Sequence, residues 1–312
     1  MPHDRRFRFA AELHAPLDGR SWLDSVRQVE DLGYSTLFVP DHFDEGPGPI
    51  AALASAAAVT TSLNVGALVF ACDFRHPAVL ARELATIDAL SEGRLEVGLG
   101  AGWKRLDYER SGIPMDPPKV RVDRMIEHTA VLRGLFSGEP VTFEGEHYRI
   151  TDLPGTPLPH RPGGPPLLIG GGGPRVLGHA ARHADIVGVN ASIHSGEIDT
   201  AAAHDALPSS IDAKVARVRE VAGDRFDDLE LNAWLSVAQV TDDPASFAAL
   251  MGELFEADPD EVLASPLTLI GTAAGIGDLL AERRERWGYS YTVIPGDQLH
   301  AFAPVVAALT GS

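Results

Sequence analysis

The sequence predicts an α/β fold, a (β/α)8 or TIM barrel formed by a single domain over residues 1–312. Eight short apolar segments with strand character alternate along the chain with segments of helical periodicity. Glycine-rich or polar loops follow several of these strands, as expected at the barrel rim where active sites form. An open doubly wound sheet is the alternative, but the first strand-to-helix turn, at residues 15–19, lacks the Gly-x-Gly-x-x-Gly pattern of dinucleotide-binding sheets.

The first four strands are predicted before residue 101, and helices connect them. Gly33 ends the first helix, and a proline in the first turn begins the third. The third helix has an apolar stripe made of Leu80, Leu84 and Ile87. The predicted strands cover residues 7–13, 35–40, 63–70 and 95–99, and the helices cover residues 21–33, 51–61 and 77–90.

An insertion of about residues 104–166 separates the fourth strand from the fifth. It contains a predicted helix at 120–136, a hairpin at 141–150 and a proline-rich connector at 154–166. The connector should be extended, because proline disfavours helix. We interpret the whole segment as an excursion rather than a domain linker, because the alternation of strands and helices resumes after it.

The second half of the chain continues the alternation, with irregular segments near the sixth and seventh strands, mainly at residues 191–208. Apolar runs mark the strands, and proline or glycine marks many helix boundaries. The predicted strands cover residues 167–170, 184–189, 229–240 and 291–294, and the helices cover residues 174–183, 211–222, 244–257, 259–264, 273–287 and 298–309.

Charge and cysteine content limit the partners and the location of the protein. With 26 Lys and Arg against 44 Asp and Glu, the net charge of −18 disfavours nucleic acid and anionic membranes as partners. The lone Cys72 excludes an intrachain disulfide and a cysteine zinc site, which fits a reducing cytosol. No apolar run approaches the ~20 residues of a membrane span, and the start has no signal-peptide pattern. We therefore expect a cytoplasmic protein.

The clearest anion-binding signal is the run of four glycines from Gly170 to Gly173, followed by Pro174 and Arg175. Glycines let the backbone approach a ligand closely, and the free amides at the start of the next helix favour negative charge. We expect a phosphate here, with a flexible tight turn as the alternative.

His42 is the only histidine directly at a predicted strand end, where it could donate or accept a proton near neutral pH. The alternative is a histidine that only forms hydrogen bonds within the barrel mouth. Asp41 is expected to fix a ring or the backbone, with a purely structural role as the alternative, and Asn190, after the sixth strand, is a candidate for ligand contact. Glu12, at the end of the first strand, is a weaker candidate for substrate contact.

A histidine pair on a later helix is a poor candidate for a metal site. His179 and His183 have the i, i+4 spacing of a helical metal pair, but no carboxylate lies between them. We expect both on the solvated face of an outer helix, and we expect no metal site.

Four motifs follow one another in the order and spacing of the luciferase-like monooxygenase and F420-dependent oxidoreductase superfamily. They are Asp41-His42-Phe43, the unit 63–103, the glycine run with Arg175, and residues 184–188. The resemblance covers nearly the whole chain and is closest to the F420-dependent subgroup. It implies a TIM barrel with a deazaflavin or flavin across its mouth.

The resemblance also implies roles for single residues. A non-proline cis peptide bond is expected at Leu68–Val69, in a bulge that supports the ring from behind. His42 would lie at the reactive edge of the ring, and Gly102 and Trp103 would border it. The phosphate loop would be formed by Gly171, Gly172, Gly173 and Arg175.

Departures from the family patterns narrow the expected activity. The luciferase α-chain has a phosphate-binding arginine where this chain has Ala101, which favours F420 over FMN. F420-dependent sugar-phosphate dehydrogenases have an acid at the position of Trp103 and a tryptophan at that of Asp44, so glucose-6-phosphate oxidation is not expected. We expect an F420-dependent oxidoreductase acting on an unknown small organic substrate. An FMNH2-dependent monooxygenase and a non-catalytic flavin-binding protein are the alternatives, and a homodimer is an open alternative to a monomer.

Overall fold

The computed structural model describes residues 5–44 and 46–312, and the regular elements in these ranges follow the predicted alternation. Nearly every helix begins at or next to a proline or a polar cap, which explains why most helix starts could be predicted. The strands are β1 (Arg8–Glu12), β2 (Thr36–Val39), β3 (Asn64–Ala71), β4 (Leu95–Gly100), β5 (Val141–Glu144), β6 (Arg149–Leu153), β7 (Leu167–Gly171), β8 (Ile186–Val189), β9 (Glu230–Trp234), β10 (Val237–Val240), β11 (Thr268–Gly271) and β12 (Tyr289–Pro295).

The helices fill the connections between these strands. They are α1 (Trp22–Asp31), α2 (Pro49–Val59), α3 (Pro77–Leu90), α4 (Arg105–Ser111), α5 (Pro118–Phe136), α6 (Pro174–His183), α7 (Thr200–His204), α8 (Pro208–Ala222), α9 (Pro244–Phe255), α10 (Pro259–Ala264), α11 (Ala273–Trp287) and α12 (Leu299–Leu309). None of the helices in the described ranges is long and apolar enough to cross a membrane.

Eight of the strands form a closed barrel in the order β1-β12-β9-β8-β7-β4-β3-β2. The predicted (β/α)8 fold is therefore confirmed. The pairs are parallel; β1 and β12, for example, run in register from Arg8 opposite Tyr291 to Glu12 opposite Pro295. Parallel strands buried on both faces need nearly continuous apolar runs, which is why these segments stood out in the sequence.

Contacts divide the described residues into two compact units. The first contains the residues through Glu12, Gln28–Thr36 and Ile169–Ser312, and the second contains Leu13–Arg27 and Leu37–Leu168. The organisation as one domain over residues 1–312 stays a prediction.

In the first unit, polar side chains connect β1 to β9. Arg8 forms a bidentate pair with Glu230, at 2.6 and 2.8 Å, and stacks on the ring of Tyr291. Four residues further along each strand, Glu12 accepts a hydrogen bond of 2.7 Å from the indole of Trp234. Because side chains repeat on one face every second residue, both links lie on the same face of this sheet.

The predicted long strand over residues 229–240 is wrong, because the structure divides it into β9 and β10. After β9, the backbone amide and hydroxyl of Ser236 both donate to the carbonyl of Leu267, at 2.9 and 3.0 Å. β10 then pairs with β11 in a separate two-stranded parallel sheet. β11 was not predicted, since an apolar run does not reveal which strand will be its partner.

The insertion contains the predicted helix and hairpin, α5 and the antiparallel pair β5–β6. It also contains α4, which was not predicted. A cis peptide bond joins Thr156 and Pro157 in the proline-rich connector.

The prediction that His179 lies on a solvated helix face is wrong, because it is buried on α6. Its ring lies 4.6 Å from that of His183, measured between centroids. Burial, and then the nearby His183 and Arg182, lower the pKa of His179 to about 4. Burial on α6 is therefore the main cause of the lowered pKa of His179.

Candidate active site

The end of β3 carries a bulge built around a cis peptide bond between Leu68 and Val69. In the pairing with β4, Ala67 lies opposite Val97 and Phe70 opposite Leu99, so that two residues of β3 face one residue of β4. Both bulge side chains are half-buried. The predicted position of the cis bond is confirmed.

The two glycines of β4 make room for this bulge. A Cβ atom at Gly98 would overlap the carbonyl oxygen of Ala67, and one at Gly100 would lie 2.5 Å from Cγ2 of Val69. Glycine in a strand often marks a close approach of another chain segment. The glycine pattern of β4 therefore accommodates the bulge.

The loop after β4 is held by its own backbone and by α5. Gly102 has a φ of +76°, a conformation that favours glycine, and a Cβ there would overlap the hydroxyl of Tyr108. The guanidinium of Arg121 donates to the carbonyl of Gly102. The half-buried Trp103 follows directly.

His42 is oriented by a residue that the sequence did not single out. Its Nδ1 lies 2.6 Å from Oδ2 of Asp107, whose Oδ1 accepts a hydrogen bond of 3.0 Å from the backbone amide of Phe43. Trp103 meets the imidazole edge to face, with centroids 5.5 Å apart. Nε2 is thus the ring nitrogen to which no described residue bonds. Asp107 was missed because it lies in the first turn of α4, a helix that was not predicted.

Asp41 has partners different from those of His42. Its buried carboxylate forms a bidentate pair with Arg75, at 2.5 and 3.0 Å, and accepts a hydrogen bond of 3.1 Å from the amide of Ala71. These contacts tie the end of β2 to the end of the bulged β3. Its expected role in cofactor binding stays a prediction.

The two residues that follow His42 in the chain join an aromatic cluster and an ion pair. Phe43 packs on Phe74, and Phe74 on Tyr108, with centroids 4.9 and 5.4 Å apart. Lys104 lies 2.7 Å from Asp44, and its hydrogen bond lowers the pKa of that carboxyl. The ammonium of Lys104 is therefore engaged within the protein.

In the first unit, the glycine turn joins β7 to α6. A Cβ at Gly172 would lie 2.5 Å from the carbonyl oxygen of Asn190, so part of the need for glycine is structural. Gly173 caps α6 without a side-chain hydrogen bond, and Pro174 occupies the first helical position. The first turn of this helix can therefore offer amides to an anion. Arg175 is exposed beside it.

The backbone of Asn190 is held on both sides. Its amide donates to Gly171 at 3.1 Å, and its carbonyl accepts from Lys214 at 3.0 Å. Its side-chain Oδ1 is buried and has no partner among the described residues. Burial lowers the pKa of Lys214, against the opposing effect of Asp205, which lies 2.6 Å away.

Glu12 is buried under Trp234, which donates to it, and Asn232 lies on the same face of β9. Asn232 is completely buried, and its Oδ1 has no partner in the described part of the chain. Neither Trp234 nor Asn232 was predicted, because the segment was interpreted as one long strand without a defined end.

A family model described as luciferase-like monooxygenase matches residues 6–291. The chain belongs to this family.

Named relatives of this family member include F420-dependent enzymes. The chain is 33% identical over 191 residues to an F420-dependent glucose-6-phosphate dehydrogenase of Intrasporangium calvum, covering 56% of this chain and 54% of the relative. It is 32% identical over 202 residues to a 5,10-methylenetetrahydromethanopterin reductase of Archaeoglobus fulgidus, covering 65% and 56%. The matches thus span about half the length of these relatives.

Among solved structures, the coenzyme F420 dependent tetrahydromethanopterin reductase from Methanopyrus kandleri matches with a TM-score of 0.76. The alignment covers 98% of this chain and 99% of that one at 19% identity. At this identity the likeness supports the fold.

Proposed function

We propose that the protein is an F420-dependent oxidoreductase that transfers a hydride between the deazaflavin and a small organic substrate. The observation that carries the proposal is a histidine, close to a cis-peptide bulge, whose Nε2 bonds to none of the described residues. Asp41 connects the two, because it precedes His42 in the chain and binds the amide of Ala71 at the end of β3. F420-dependent relatives support the same assignment.

The residues of the second unit fit a flat ring. Leu68 and Val69 offer a half-buried apolar surface, and Gly102 and Trp103 lie in the loop after the neighbouring strand. When bound, F420 would supply a hydride at its central ring carbon. His42 would hold or accept the accompanying proton at Nε2, and a positioned acid or base of this kind contributes roughly 10²–10⁴-fold to a rate.

The residues of the first unit fit a phosphate. Gly171, Gly172 and Gly173 lead into a helix start that lacks a side-chain cap, and Arg175 adds a cation. The Oδ1 of Asn190, which has no partner among the described residues, would accept a hydrogen bond from a donor of the cofactor. An uncapped helix start and a buried acceptor are the features expected of a site completed by a ligand.

The sequence supports F420 over FMN, since Ala101 stands where the luciferase α-chain has its phosphate-binding arginine. An FMNH2-dependent monooxygenase, and thus a flavoprotein, is the second candidate, favoured by the description of the family. We propose Glu12 as a weaker candidate for substrate contact. We also propose a cytoplasmic location, which is consistent with the free, buried thiol of Cys72. A homodimer is the assembly to test.

The proposal is tested by titrating the purified protein with F420 and with FMN and following cofactor fluorescence. We expect saturable binding of F420 and much weaker binding of FMN. The variant His42→Ala should bind F420 like the wild type but lose turnover. Tight binding of FMN without binding of F420 would refute the leading assignment, and full activity of His42→Ala would remove its role in proton transfer.

A further inference from the structure

We propose that Asp107 is a positioning residue, which fixes the tautomer and the orientation of His42 so that the proton is exchanged at Nε2. The inference deepens the proposed oxidoreductase function and rests on it. Asp107 itself contacts His42 and the backbone of Phe43, so any effect on the reaction passes through the imidazole.

The two carboxylate oxygens of Asp107 have separate partners. Oδ1 accepts the amide hydrogen of Phe43 at 3.0 Å, and Oδ2 lies 2.6 Å from Nδ1 of His42. An ionised carboxylate only accepts hydrogen bonds, so Nδ1 must carry a hydrogen. The neutral ring then has its lone pair on Nε2, where it can accept a proton, and the same carboxylate stabilises the imidazolium that results.

The surroundings hold this arrangement in place. The carboxylate of Asp107 is buried, with 3% of its side chain exposed, against 17% for His42. Trp103 packs edge to face against the imidazole, with an interplanar angle of 88°. Of the described charges near the ring, Asp44 and Lys104 are paired with each other at 2.7 Å. Asp107 is therefore the carboxylate in direct contact with the imidazole.

The substitution Asp107→Asn separates positioning from a merely structural role. Asparagine is nearly isosteric but offers one acceptor oxygen and one donor amide group. The amide of Phe43 requires the oxygen, so the NH2 group must face Nδ1 of His42. Nδ1 then becomes an acceptor, and the neutral ring carries its hydrogen on Nε2. The contact with the amide of Phe43 is kept, while Nε2 changes from a hydrogen-bond acceptor to a donor.

Nuclear magnetic resonance on ligand-free protein measures the tautomer of His42 directly. Protein labelled with 15N-histidine gives long-range 1H–15N spectra that distinguish the two neutral tautomers, and His42→Gln identifies the signals of His42 by their loss. We expect the hydrogen on Nδ1 in the wild type and on Nε2 in Asp107→Asn. A wild-type ring protonated on Nε2, or an unchanged pattern in the variant, would overturn the proposal. The wild-type spectrum alone decides the question if the variant does not fold.

A parallel F420 titration keeps the two proposals distinguishable. Because Asp107 lies behind the imidazole, Asp107→Asn should keep F420 affinity within about threefold of the wild type, as expected when no binding contact is removed. Loss of F420 binding in the variant alone would contradict a pure positioning role. Absence of F420 binding in the wild type would refute the proposed function, whereas the tautomer measurement would still test the pairing of Asp107 with His42.

Discussion

The substitution Gly100→Ala should destabilise the protein through a single contact with the bulge of β3. An added Cβ would lie 2.5 Å from Cγ2 of Val69 and 3.7 Å from its Cβ, and apart from the chain neighbours no other atom of the described residues comes within 4 Å. Carbon atoms normally pack about 3.5–4.0 Å apart, so the overlap is about 1 Å. Valine is stiff at χ1 and cannot swing away freely. We expect a loss of about 1–3 kcal/mol in the free energy of unfolding, the usual cost of overpacking.

Urea unfolding of four proteins measures this contact as a double-mutant cycle. They are the wild type, Gly100→Ala, Val69→Ala and the double variant. Because Val69 supplies the overlapping atom, the double variant should lose less than the sum of the two single changes, by about 1 kcal/mol or more. Gly277→Ala is the matched control: its Cβ would meet only Leu309, at 3.9 Å, in the interior of α11. That change should be neutral or stabilising, by up to about 1 kcal/mol.

Additive losses in the cycle would refute the proposed packing, since they would show that Gly100 and Val69 act independently. A neutral Gly100→Ala would do the same. If the bulge also supports the cofactor ring, Gly100→Ala should weaken F420 binding, whereas Gly277→Ala should leave it unchanged.

Two further predictions concern the glycine turn and a buried histidine. Gly172→Ala should weaken F420 binding more than Gly173→Ala, and it should lower the free energy of unfolding by roughly 1–2 kcal/mol more. The reason is that an added Cβ meets backbone atoms at Gly172, whereas at Gly173 no atom of the described residues lies within 4 Å. Equal losses for the two variants in fluorescence titration and urea unfolding would contradict this. Burial, and then the charge of His76, lower the pKa of His128 from 6.5 to about 3, so only the unfolded chain takes up a proton between these values. Stability is then fully present above pH 6.5 and falls with decreasing pH by up to about 1.4 kcal/mol per unit. His128→Gln should make that decline shallower in urea unfolding measured from pH 7 to pH 5, and parallel curves would show that His128 does not cause it.

The features that depend on a local sequence pattern could be predicted, whereas those that depend on a contact with a distant part of the chain could not. The cis bond at Leu68–Val69 could be located because the family resemblance implies such a bond and the spacing from Asn64-Val65-Gly66 gives its position. The barrel strands could be located because burial on both faces demands apolar runs. Asp107 could not be found, since nothing in its neighbourhood shows that its helix places it against His42. The division of residues 229–240 depends on Ser236 bonding to Leu267, a contact across 31 positions. Burial of His179 likewise follows from packing rather than from its spacing to His183.

The charges of the second unit bear on the substrate. A phosphorylated sugar needs cations or amides that are available to its phosphate. Three described cations of this unit are already paired with carboxylates: Arg75 with Asp41, Lys104 with Asp44, and Arg124 with Asp73 and Asp116. Binding a phosphate at any of them would leave a carboxylate without its partner, and at the buried Asp41 that loss would be costly. This pairing agrees with the absence of the sugar-phosphate dehydrogenase pattern at Asp44 and Trp103.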